Sequence, residues 1–308
     1  MTWLSLFVAL LIEQYKPLSY ERVVAGPLAR YAAWFEQRLN AGEARHGVVA
    51  WSLAVGLPVA AVWFLYLFLV WINPVLGWVL NVIVLYVTMG FRQFSHHFEA
   101  TAGALRAGDT DTARRELGNW LSRNTDRMKQ EEIARLAIEQ GLLAAHRHVF
   151  APLALFALLP GPTGPLLYRL TERLSWSWAR RENIEFGAFG RFARNMYEWL
   201  DFIPVRMTAA TFAIVGDFED AVHCWRTQAA KWPEQAAGIL LASGGGALGV
   251  KLGAPLFELG EVADRPELGM GDDADVDLMQ SAIGLVWRTL IFCLLLLGLL
   301  TLAGYVGS

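Results

Sequence analysis

The chain has 308 residues, is 55% hydrophobic and 18% charged, and carries 13 tryptophans, far to the apolar side of a soluble domain. Its net charge of −3 argues against a nucleic-acid binder, and its two cysteines, Cys224 and Cys293, argue against a disulfide framework. The apolar residues fall in blocks, which marks an integral membrane protein. The first, "TWLSLFVALLI", stops at Glu13 and is too short to cross a bilayer, which takes about 20 residues. It has no basic leader and no small-residue cleavage site, so it is expected to be retained. Residues 14–46 are polar and include Arg22, Arg30, Arg38 and Arg45. Gly47 to Ile72 is free of charge and long enough to span, Asn73-Pro74 breaks it, and Val75 to Phe91 returns. Their connection is uncharged while both flanks are rich in arginine. The positive-inside rule then places the hairpin tip outside and segments 14–46 and 92–148 in the cytoplasm.

Segment 92–148 reads as soluble helices, with Gly108 as a stop and Asp109 or Thr110 as an N-cap. In "NTDRMKQEEIARLAIEQGLLAA", Ile133, Leu136 and Leu143 fall on one side of a helix, and Glu132, Arg135, Glu139 and His146 on the other. The apolar run Val149 to Leu159 ends at the loop "PGPTGP". A helix carrying "YRLTERL" and an aromatic amphipathic stretch at 184–201 follow. "DFIPVR" leads into the apolar block Met207 to Gly216. "GILLASGGGALGVKLGAPLF" is apolar but for Lys251, and the acidic "GMGDDADVD" precedes a last span, Thr289 to Val306. The expected fold is all-α, a polytopic membrane protein with short or half-spanning helices and a cytoplasmic helical region. Its expected divisions are 1–91, 92–148 and 149–308, the last forming one domain with the rest. Short apolar blocks of this kind suit helices around a protein-lined cavity.

Five stretches could carry chemistry. "HRH", His146 to His148, is a candidate zinc pair, but i and i+2 point about 200° apart on a helix. No third ligand stands at metal spacing, so no metal site is expected and interface cations at a helix end explain the pair. In "SRNTDR", Arg123 and Thr125 precede a helix that Asn124 or Thr125 can cap; phosphate or carboxylate binding and an ordinary cap both fit. "SGGGALGVKLG" fails the Walker pattern. Gly245, Gly249 and Gly253 instead match small-xxx-small packing, although Lys251 in an apolar helix needs an anion or water. In "LDFIPVR", Asp201 and Arg206 flank a proline read as ending one helix and starting another. They could pair, or Arg206 could bind an anion. The acidic run Asp272 to Asp277 lacks calcium-loop spacing and reads as a solvated loop.

The order "LSRNTDRMKQEEIARLAIE…FAPL", "YRLTERL", "IPVRMT", "GGALGVKLGAP" and "RPELGMGD" resembles the CobD/CbiB family over roughly residues 115–290. The resemblance implies membrane enzymes of cobalamin assembly, which join aminopropanol phosphate to adenosylcobyric acid through an amide bond using ATP and magnesium. Where that family carries Glu-Asn-Thr-x-Asp-Gly, this chain reads Leu143-Ala144-Ala145-His146-Arg147-His148. Its Asn-Thr-x-Asp-Ser is replaced by "TERLSWS", its double aspartate reduces to Asp201, and "EQYKP" stands near its Gly-Asp-Pro. The opening "MTWLSLFVALLIEQ", "HHFEA", "GDTDTARREL" and "WLDFIPVRMTAATFAIVGDFEDAV" are similar to the AmpE branch of the same superfamily, inner-membrane proteins tied to β-lactamase induction.

Two functional expectations follow. The leading one is a non-catalytic, AmpE-like sensor or accessory protein of the bacterial inner membrane, binding an anionic small molecule in a cytoplasm-facing cavity. Arg123, Thr125, Asp201, Arg206 and Lys251 are its expected ligand-binding residues, with no cofactor. The alternative is an adenosylcobinamide-phosphate synthase in which Glu139, His146 and His148 take over the lost polar roles, with ATP and magnesium as cofactors. The lipid bilayer is the expected partner in both, together with a second copy or another membrane protein, and nucleic acid is not.

Overall fold

The computed structural model describes residues 2–16, 18, 21–179, 187–258 and 261–306. In chain order its helices are α1 (Thr2–Tyr15), α2 (Gly26–Leu39), α3 (Ala44–Trp51), α4 (Leu57–Ile72), α5 (Pro74–Thr88), α6 (Phe91–Arg106) and α7 (Thr110–Leu121). They continue as α8 (Gln130–Ala145), α9 (Ala151–Leu158), α10 (Thr163–Ala179), α11 (Gly187–Val215), α12 (Phe218–Gln228), α13 (Gln235–Leu248) and α14 (Val276–Val306). A wide π turn at Glu21–Ala25 leads straight into α2, and those at Ser52–Gly56 and His146–Phe150 join neighbouring helices without breaking them. Four strands of three residues each, β1 (Lys251–Gly253), β2 (Leu256–Glu258), β3 (Glu261–Ala263) and β4 (Glu267–Gly269), make two small antiparallel ribbons, so the architecture is all-α. Three helical stretches, Ala44–Ile72, Gln130–Leu158 and Val276–Gly304, are long and apolar enough to cross a membrane. The first and last are 11% and 22% buried and the middle one 72%, so the middle one is wrapped in protein and the outer two present apolar surface outward. Phe64 and Trp71 of α4 are 68% and 82% exposed, as side chains against lipid would be.

The chain forms two compact units. The first comprises residues 1–90, 151–204 and 301–308. Asn73 is its clearest punctuation: its Oδ1 accepts the Val75 N–H at 2.8 Å and Pro74 takes the first helical position, so the α4–α5 hairpin folds where the sequence predicts. Gly77 allows the close approach of α5 to α4, because a Cβ there would stand 2.3 Å from Val70 Cγ2. Trp178, Leu174, Phe189, Ala50 and Val55 form an apolar core, and the Trp178 indole donates to Ala32 O at 3.1 Å. Arg169, 1% exposed, is satisfied twice over: Nε and Nη2 donate to Thr88 O at 2.9 and 2.5 Å, and Nη1 to Glu172 Oε2 at 2.6 Å. A buried guanidinium survives only with such pairing.

The second unit comprises residues 91–150 and 205–300. Asp109 caps α7 by accepting the Thr112 N–H at 3.0 Å. Helix α12 lies against α13, where Gly246 has no room for a side chain: its Cβ would sit 2.5 Å from Asp220 O. The α13 hydroxyl of Ser243 donates to Ala209 O at 2.8 Å. Helix α13 stops at Leu248 because Gly249 turns left-handed (φ 67°), letting Val250 N–H reach back to Gly245 O at 2.9 Å. The glycine spacing in "SGGGALGVKLG" is therefore not one helix face. Gly245 lies on α13, Gly249 ends it, and Gly253 lies in β1. The ribbon β1–β4 pairs Lys251 with Gly269 and Gly253 with Glu267. Gln228 clamps it, donating to Gly269 O at 3.1 Å and accepting the Gly269 N–H at 2.7 Å.

Two local expectations change. Helix α8 begins at Gln130, because Thr125 O accepts the Met128 N–H in a turn and Glu132 reaches back to the Lys129 N–H at 2.7 Å. Asn124 and Thr125 therefore do not cap it. Helix α11 runs through Pro204 instead of ending there. The aromatic stretch expected over 184–201 is helical from Gly187, and residues 184–186 lie outside the described residues.

Candidate functional site

Glu139 is the buried acid of the second unit. It lies one turn after Arg135 on α8, so both side chains share a face. Only 5% exposed, Glu139 is held by two donors far away in sequence. The Gly253 N–H donates to its Oε1 at 2.8 Å, and Arg265 donates through Nη2 to its Oε2. Arg265 is itself 17% exposed at the side chain and lies over the Trp232 ring, with Cζ 5.0 Å from the ring centroid. Arg265 approaches from the loop that leads into β4, while Gly253 closes β1. Gly253 is required there: φ is 74°, and a Cβ would fall 2.1 Å from Pro266 O and 3.2 Å from the Trp232 ring. Both oxygens of Glu139 are thus committed. The carboxylate fixes Arg265 and ties β1 to α8, so it acts as an anchor.

The other residues singled out from sequence occupy separate places. His146, 1% exposed in the π turn that follows α8, pairs through Nδ1 with Thr208 Oγ1 at 2.9 Å. His148 is half-buried in the same turn, and Arg147 between them lies 3.8 Å from Glu234 Oε1. Thr125 is buried and donates to Arg114 O at 2.6 Å, which joins α7 to the turn before α8, and Arg123 is exposed beside it. Lys251 is half-buried in β1 and its N–H donates to Asp272 O at 2.9 Å. Arg206 is half-buried in the second-unit part of α11. Asp201 belongs to the first unit and is buried, one of the charges that, after burial itself, push the Tyr168 phenol well above its usual range. Sequence reasoning found Glu139 and missed Arg265, Trp232 and Gly253. "RPELG" and "GVKLG" were conspicuous as strings, but nothing local in them points back to α8.

Three long apolar helical stretches, two of them with apolar surface turned outward, mark a multi-pass membrane protein, and its second unit holds a buried, charge-paired acid. Its family can be stated directly. The model of the CobD/Cbib protein family matches residues 13–286, and the chain belongs to that family. It is 38% identical over 293 residues to the cobalamin biosynthesis protein CobD of Stutzerimonas stutzeri, covering 92% of this chain and 93% of that one. The protein of the same name from Chromobacterium violaceum is 36% identical over 70% of this chain and 68% of its own length. That from Brucella suis is 28% identical over 98% and 97%. No solved structure matches.

These relatives correct the leading functional expectation. They are cobalamin biosynthesis proteins, not AmpE-like sensors, and the likeness runs along nearly the whole chain. The AmpE-like stretches and the carboxylates absent around His146 are short motifs that sample few positions of the fold, whereas the likeness to these relatives covers nearly all of it. The family implies ATP and magnesium. Among the described residues no three His, Cys, Asp or Glu side chains converge, and Glu139 is committed to Arg265 and Gly253, so the donor set does not form a resident metal cage. Magnesium carried by a nucleotide needs only one or two carboxylates, the rest coming from phosphates and water.

Proposed function

We propose that this protein works in cobalamin biosynthesis as an adenosylcobinamide-phosphate synthase, forming the amide bond between aminopropanol phosphate and adenosylcobyric acid. The observation that carries this reading is 38% identity to a cobalamin biosynthesis protein CobD over 92% of the chain. Similarity of that length spans the α8 helix and the β1–β4 ribbon, so the Glu139 anchor lies within the shared region. The setting is the bacterial inner membrane, with α4 and α14 in lipid and the arginine-rich segment before α4 on the cytoplasmic side, where a nucleotide is available. The substrate phosphate is an anion, and a site with guanidinium groups suits it.

The test is rescue. Expression in a bacterium lacking its own cobalamin CobD should restore cobalamin-dependent growth, with membrane insertion verified by immunoblot. Purified protein supplied with adenosylcobyric acid, aminopropanol phosphate and Mg-ATP should yield adenosylcobinamide phosphate. Well-expressed protein that neither rescues growth nor forms product overturns the reading.

A further inference from the structure

We infer that Arg135 and Arg265 form an oxyanion subsite, with Trp232 as its aromatic wall and Glu139 as the positioning residue. Arg135 stands one turn before Glu139 on the same face of α8, and Arg265 donates to the Glu139 carboxylate, so two positive charges flank one negative charge. One positive charge is left over. Arg265 has five N–H donors, and Glu139 takes one of its terminal nitrogens while Trp232 covers a face. Its remaining edge stays available for a planar or tetrahedral oxyanion, the geometry a guanidinium fork matches best.

Arg135 supplies the second observation. Its Nε is buried away from solvent and has no hydrogen-bond partner among the described residues. Buried donors on a charged group are almost always satisfied, so this one calls for an acceptor. The neighbouring acids do not provide it. Glu132 is bound to the Lys129 N–H, Glu139 is bound to Arg265 and Gly253, and Glu131, Asp264 and Glu267 are exposed. An incoming phosphate or carboxylate accepts from Arg135 Nε and from the free edge of Arg265, and neutralises the surplus charge. Glu139 then has a defined task, to hold the Arg265 fork at one angle. The ligand class is a small phosphomonoester or inorganic phosphate, with carboxylate as the weaker competitor. This inference concerns binding and stands apart from the reaction proposed above, although a substrate phosphate would suit it.

The experiment uses the full chain in detergent micelles and no cobalamin precursor. Thermal unfolding is followed with inorganic phosphate, O-phosphoethanolamine or acetate against chloride at equal ionic strength. Both phosphates should raise the midpoint, acetate less. R135Q should weaken phosphate binding by about tenfold or more, the loss expected for one charge-assisted hydrogen bond, whereas R106Q, at the exposed end of α6, should leave it unchanged. Because R135Q could fold poorly, phosphate protection of the wild-type arginines from phenylglyoxal is read by mass spectrometry. Arg135 and Arg265 should be protected and the exposed Arg106 should not. Absence of any phosphate-specific shift, full binding by R135Q, or equal modification of Arg135 with and without phosphate overturns the inference. Loss of rescue with phosphate binding intact counts against the synthase reading alone.

Discussion

Separating the charges at Glu139 tests the anchor most directly. Glu139→Leu leaves the Arg265 guanidinium and the Gly253 N–H without their acceptor, and Arg265→Met leaves the carboxylate with the Gly253 N–H alone. Breaking a buried ion pair by removing one partner costs about 3–5 kcal/mol. Arg265 is 17% and Glu139 7% exposed at the side chain, so solvent relieves little of this and each single variant should lose about 3–4 kcal/mol. For a chain of this size that is a fall of roughly 5–6 °C in midpoint. The double variant removes both charges and leaves mainly one unsatisfied amide, at about 1–2 kcal/mol. It should therefore be more stable than either single variant, with a coupling energy of several kcal/mol. Unfolding in mixed micelles, followed by tryptophan fluorescence at several denaturant concentrations, reads all four proteins. Single losses below about 1 kcal/mol, or losses that simply add in the double variant, would show that the pair does not carry the load assigned to it.

Further outcomes follow from single positions. Gly253→Ala should cost about 2 kcal/mol or more, and Gly249→Ala about 1 kcal/mol. Both glycines have positive φ, but only Gly253 has Pro266 O where a Cβ would go, so equal midpoints for the two variants would refute the steric argument. Asp109 accepts hydrogen bonds from the Thr112 hydroxyl and then its N–H, which holds its carboxyl below the usual range. A depressed folded value means the cap's contribution is present above the unfolded carboxylate value and is lost as acid passes the folded one. Carboxyl NMR should find Asp109 titrating below free aspartate and Thr112→Val moving it upward; an ordinary midpoint in the wild type would contradict the cap. Burial, then Asp220, pushes the Cys224 thiol up, so the folded protein should resist maleimide at Cys224 at about pH 7.5, and fast labelling of folded protein would count against its burial.

Much of the frame was legible because local chemistry fixes it. Asn73-Pro74 can only cap and start a helix in such an apolar run, and the α4–α5 hairpin follows. The final helix was legible in its apolar part but starts earlier, at Val276, because Asp275 accepts the Leu278 N–H at 2.7 Å and makes the acidic loop a helix start. Residues 130–158 were divided into a polar helix and an apolar run. The structure makes them continuous, since a π turn absorbs His146–Phe150 without a break. Glu139 stood out as an acid at the mouth of an apolar stretch. Its partners did not, because Arg265 and Gly253 reach it through a ribbon whose turns depend on glycines at positive φ, and such long-range closure leaves no periodic mark.

The distance along the chain between Glu139 and its partners also sets an order of events during synthesis. Glu139 leaves the ribosome 114 residues before Gly253 and 126 before Arg265. At about 5–20 residues per second, its carboxylate waits roughly 6–25 s for the guanidinium that completes it. During that interval α8 carries a carboxylate whose two donors have not yet been made, so the tie between α8 and the β1–β4 ribbon closes only after residue 265 has been synthesised.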